Sequence, residues 1–88
     1  MEVVFLRHFS KDIEKLPNLI CKKVAAIIIQ VEQAETLETI PHCKKLKGHP
    51  HAWRIRVGDY RIGFYYPPNN AVEMARVVHR KDIYRIFP

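Results

Sequence analysis

A chain of 88 residues that is 48% hydrophobic and 27% charged is one small folded domain, too rich in apolar residues for a disordered tail or a linker. No apolar run approaches the roughly 20 residues of a membrane span, the N-terminus lacks a secretion signal, and Cys21 and Cys43 make no disulfide framework, so a cytoplasmic protein is expected. The net charge of +6 lies wholly in the second half: residues 1–43 carry −1 and residues 44–88 carry +7, which suits a phosphate-bearing or acidic partner, or a merely soluble basic surface.

In chain order, EVVFL (2–6) is β-branched and aromatic and predicts a first strand. Ser10 reads as the N-cap of a short helix with Ile13 and Leu16 as its apolar positions, and Pro17 ends it. A second helix is expected over 18–34. Its stripe of Ile20, Val24, Ile27, Ile28 and Val31 has the spacing of a buried face, and Ala25, Ala26 and Ile29 widen the band. Core packing against a sheet is the plain reading of that stripe, and a partner-binding groove is the other. Between Glu35 and Pro50 the periodicity dissolves.

The stretch Trp53–Tyr66 then alternates with period two on both sides of Gly58-Asp59, the signature of a tight hairpin. A third strand of the meander is expected over 71–79, and a closing turn of helix carries Ile83, Tyr84 and Phe87. A two-residue turn pairs Val57 with Tyr60, Arg56 with Arg61, Ile55 with Ile62, Arg54 with Gly63 and Trp53 with Phe64. One face is then apolar, and the other carries Arg54, Arg56 and Arg61 beside the gap left by Gly63. Like charges facing across a ladder are unfavourable by about 0.2–1 kcal/mol per pair. The triplet is therefore neutralised by acids from elsewhere, left solvated, or kept to receive an anion whose oxygens suit the planar guanidinium fork.

Other residues extend this basic surface. Lys44, Lys45 and Lys47 precede the hairpin, Lys81 follows the third strand, and Arg76 falls on the arginine face in one of its possible registers. His79 can act as acid or base near neutral pH, and Tyr84 can stack on a base or serve as plain core. The group His42, Cys43, His49 and His51 has no metal-ligand spacing, and no metal or cofactor is expected.

K-L-K-G (45–48), W-R-I-R-V-G-D-Y-R-I (53–62) and H-R-K-D-I-Y (79–84) together resemble the RelE/ParE superfamily of toxin–antitoxin toxins. The motifs span Lys45 to Phe87; residues 1–35 agree in pattern, as a strand and two helices. The resemblance implies an α+β, RelE-like (microbial ribonuclease-like) domain over residues 1–88. In that fold a mostly antiparallel sheet of about four strands carries two N-terminal helices on one face, and a short C-terminal helix follows. It also implies a ribosome-dependent mRNA endonuclease that uses 2′-hydroxyl attack without a metal. By position, Arg54 and Arg56 replace two hairpin lysines, Arg61 matches the next strand's arginine, Arg80 or His79 falls near the C-terminal arginine, and Tyr84 matches the C-terminal tyrosine. Because arginine does not deprotonate in proteins, proton removal would pass to His79 or a ribosomal group. A cognate acidic antitoxin, the ribosome with its mRNA, and operator DNA through the antitoxin are the implied partners. A gyrase inhibitor of ParE type, or a non-toxic co-repressor, is the alternative.

Overall fold

Gly58 takes φ +60° while Asp59 does not, the pattern of a type II′ turn, whose twist matches that of the strands it joins. The computed structural model, which describes Met1–Pro88, builds its sheet outward from this turn. Strand β3 (Ala52–Val57) pairs with β4 (Tyr60–Tyr65) in the register expected from the two-residue loop, including Arg56 opposite Arg61 and Arg54 opposite Gly63. Strand β5 (Val72–His79) continues the meander antiparallel to β4. Strand β1 (Val3–Phe5) adds to β5 in parallel and forms one edge.

A fifth strand, β2 (Cys43–Lys45), adds to β3 and forms the other edge, so the order is β1-β5-β4-β3-β2. It lies in the stretch where periodicity was lost, so the sheet has five strands where about four were expected. Three residues are too few to display an alternation. The two edges differ in surface: β1 and the residue after it leave Val4, Phe5 and Leu6 37–52% exposed, whereas β2 presents Lys44 and Lys45 to solvent.

Helix α1 (Arg7–Ile13) begins earlier than its expected cap, and Ser10 lies inside it. The Leu6 amide donates to Met74 O and the Leu6 carbonyl accepts from Ser10 N, so strand passes into helix with no intervening loop. Helix α2 (Asn18–Gln33) follows Pro17, and its stripe turns inward with Val24 and Val31 fully buried. The expected widening of that stripe does not pack: Ala25, Ala26 and Ile29 face solvent.

Both helices cover one face of the sheet. Their core joins Phe9, Val24 and Val31 to Ile55, Val57, Ile62, Phe64, Val72, Met74 and Val77. A second, smaller cluster of Ala52, Ala75, Ile83 and Phe87 holds helix α3 (Arg80–Ile86) against the opposite face. Gly63 makes this possible, since a Cβ there would meet the Phe87 ring at 2.5 Å. The gap beside the arginines is therefore the seat of α3.

α1 is pinned to the sheet by a carboxylate. Asp12 is 7% exposed and accepts from Arg76 Nε at 2.8 Å, Arg76 NH2 at 3.1 Å and the Val77 amide at 3.0 Å. Its position follows from a bulge in β5, where Gly63 pairs with Arg76 but Phe64 pairs with Met74, leaving Ala75 as the extra residue.

Candidate functional site

Pleating of the hairpin puts Arg54, Arg56 and Arg61 on the face that carries α3, and each guanidinium is held by a neutral group. Arg54 lies over the ring of Tyr84, 4.5 Å from its centroid, a cation–π contact delivered by α3. Arg56 NH2 is 3.0 Å from His42 Nδ1. Arg61 NH1 donates to two turn carbonyls, Gly58 O at 2.8 Å and Tyr60 O at 2.9 Å. These contacts fix the side chains in place and leave their positive charge uncancelled.

The three arginines line an open cavity of about 400 Å³ together with His42, Cys43, Lys44 and Tyr84. A second cavity of about 460 Å³ shares His42, Arg56 and Arg61 with it and extends to Gly58, Asp59 and Arg80. The one carboxylate lining either space is Asp59, which stands 3.7 Å from Arg80 Nε, with both side chains mostly in solvent. An exposed pair at that distance is screened and holds little energy.

Of the other candidates, Lys44 joins the cluster through its pairing with Arg54 across the β2–β3 ladder. Lys45 pairs with Trp53, on the apolar side of the sheet, and Lys47 and Lys81 are exposed outside both cavities. Arg76 is taken up by Asp12, and that hydrogen bond raises its pKa above the ordinary arginine value. His79 pairs with Tyr60, on the helix-covered side, with its ring edge-on to the tyrosine at 5.5 Å. Its Nδ1 accepts from Lys81 N and caps α3.

Cys43 has a thiol pushed up to about 11 by burial and, secondarily, by the charge of Glu38. At neutral pH it is therefore no nucleophile. No three His, Cys, Asp or Glu side chains come together in a way that would hold a metal ion. The arrangement is suited to gripping a multiply charged anion and stabilising further negative charge as it develops.

In the sequence His42 stands out only within a histidine–cysteine group that has no metal-ligand spacing. Its φ of 59° and its pairing with Arg56 depend on β2 docking at the edge of the sheet, and no local pattern announces that. Asp12 was missed as well, because its partner lies 64 positions away.

Residues 3–84 match the family model described as "ParE toxin of type II toxin-antitoxin system, parDE". The chain is 38% identical over 89 residues to Toxin RelE3 of Methanocaldococcus jannaschii, with both chains covered in full. Among solved structures it is similar to the RelB-RelE antitoxin-toxin complex from Methanococcus jannaschii, at TM-score 0.82 and 36% identity, covering 97% of this chain and 99% of that one. The intact E. coli RelBE toxin-antitoxin complex shares the fold at TM-score 0.73 and 18% identity, covering 89% of this chain and 94% of that one.

Proposed function

The chain belongs to the RelE/ParE family of type II toxin–antitoxin toxins, and from that premise we propose that it is a ribosome-dependent endoribonuclease that cuts mRNA and stops translation. The reaction needs no cofactor. A 2′-hydroxyl attacks the adjacent phosphorus and the bond to the 5′-oxygen breaks, leaving a cyclic phosphate and a free 5′-hydroxyl. Arg54, Arg56 and Arg61 bind the scissile phosphate and stabilise the charge of the pentacovalent state. Tyr84, 70% exposed above Arg54, stacks on a base, and Arg80 and Lys44 reach the flanking phosphates.

One observation carries this reading. Three arginines are held in place by a ring, an imidazole and carbonyls around an open cavity, so their charge is unspent until an anion arrives. The second partner is an acidic antitoxin that masks this basic face and covers exposed apolar residues such as Phe5, Leu19 and Ile29, and operator DNA is reached only through it. The RelB-RelE complexes among the similar structures support that partner.

The test is cleavage of mRNA in a purified translation system, with and without ribosomes, with primer extension to map the cuts. Codon-phased cuts that require ribosomes, and that fall by about 10²–10³ in Arg61→Ala, are expected. Unimpaired translation with no cuts would overturn the nuclease reading and turn attention to DNA gyrase supercoiling.

A further inference from the structure

The attacking hydroxyl must lose a proton, and the residues of the cavity differ sharply in whether they can take one. The three guanidiniums hold their protons at any physiological pH. The ammonium of a solvent-exposed lysine, as at Lys44, is a donor without a lone pair, and a phenol yields a proton more readily than it accepts one. Cys43 is protonated and half-buried. His79, the histidine singled out in the sequence, is on the far side of the sheet with Nδ1 already engaged as a helix cap. His42 is the one imidazole lining either cavity.

Two bonds tie His42 to Arg56: its carbonyl accepts the Arg56 amide at 3.1 Å, and its Nδ1 faces Arg56 NH2 at 3.0 Å. A guanidinium has only donors, so Nδ1 is the acceptor of that bond, which assigns the proton to Nε2 of a neutral ring. The backbone holds this pose in the left-handed region, at φ 59°, where a non-glycine residue is strained by about 1 kcal/mol or more. Histidine is one of the few side chains enriched there.

The geometry points to His42 as the proton acceptor of the cleavage reaction, an inference that rests on the nuclease reading above. A phosphate that engages Arg56 competes for the N–H now given to Nδ1 and frees the ring lone pair beside the bound phosphodiester. His42 Nδ1 takes the 2′-hydroxyl proton as the oxygen–phosphorus bond forms. The phosphorus–5′-oxygen bond breaks, the departing oxygen takes a proton from water, and the imidazolium returns its own to solvent. The charged groups that line the two cavities with the ring are Arg54, Arg56 and Arg61 from the hairpin, Lys44 from β2, Arg80 from α3 and Asp59 from the turn, and Cys43 and Tyr84 are the other titratable ones.

His42→Asn tests this, because asparagine tolerates the left-handed backbone and can accept from Arg56 but cannot carry the proton. Ribosome-dependent cleavage is measured from pH 5.5 to 8.5 beside binding to ribosomes programmed with a 2′-deoxy message that cannot be cut. The expected result is a loss of about 10²–10⁴ in the cleavage rate, with binding unchanged. An acid limb in the wild-type profile that is absent from His42→Asn is expected. His42→Gly should recover cleavage when free imidazole is added. An unchanged rate and acid limb in His42→Asn, or a loss of binding equal to the loss of cleavage, would overturn the assignment while leaving the nuclease reading intact. A wild-type chain that cuts nothing would overturn both.

Discussion

Arg76, on β5, meets a buried carboxylate from α1, whereas Arg54, Arg56 and Arg61, on the neighbouring hairpin, meet a ring, an imidazole and carbonyls. In the first place two opposite charges and a backbone amide close on one another, so the pair joins helix to strand and has nothing left for a ligand. In the second, neutral partners orient the cations without spending them, and like charges stand opposite across the ladder. The fold tolerates that repulsion on the face where an anion can relieve it. The same residue type serves as a structural link or as a binding group according to the partner it is given.

Removing the structural link should have the largest effect. Asp12→Ala strands Arg76 and the Val77 amide, and should lower stability by about 3 kcal/mol, read as the midpoint of urea unfolding. A loss below about 1 kcal/mol would show that the pair is weaker than its burial implies. Gly63→Ala should cost about 1–3 kcal/mol, because the new methyl group runs into the Phe87 ring and α3 must shift. Faster amide exchange confined to α3 is the measurement that separates this from general loosening. The smallest change is expected at the cluster. Arg56→Gln removes the charge facing Arg61 and should leave stability unchanged or raise it by up to about 1 kcal/mol. The same variant should reduce the logarithmic salt slope of single-stranded RNA binding by about 0.7. If Arg56→Gln were instead as damaging as Asp12→Ala, the contrast between the two kinds of arginine would collapse.

What the sequence disclosed follows the range of the forces involved. The hairpin register was legible because a two-residue turn leaves one pairing, and period-two alternation then sorts Arg54, Arg56 and Arg61 from Ile55, Val57 and Ile62. Pro17 and the stripe through Val24 and Val31 likewise marked α2 from local chemistry. Ser10 has the side chain of a cap, yet the Leu6 amide, still bonded to β5, leads directly into a helix that starts at Arg7 with no side-chain cap. The seat of α3, the bulge at Ala75 and the pairing of β2 are contacts between distant segments, and the residues they recruit carried no local sign. His42 shows this best: the sequence asked whether it lay near other histidines, and its partner is an arginine 14 positions on.

The two borders of the sheet set what happens when molecules meet each other. β2 presents lysines along its open side, which repel a like strand, whereas β1 offers Val4, Phe5 and Leu6 and no charge of its own. A second copy joining through β1 by a twofold axis would consume the sole sticky border of both molecules, and the continuous sheet would then end in lysines on each side. Pairing by that route would stop at two copies, since lysines would then border the sheet on both sides.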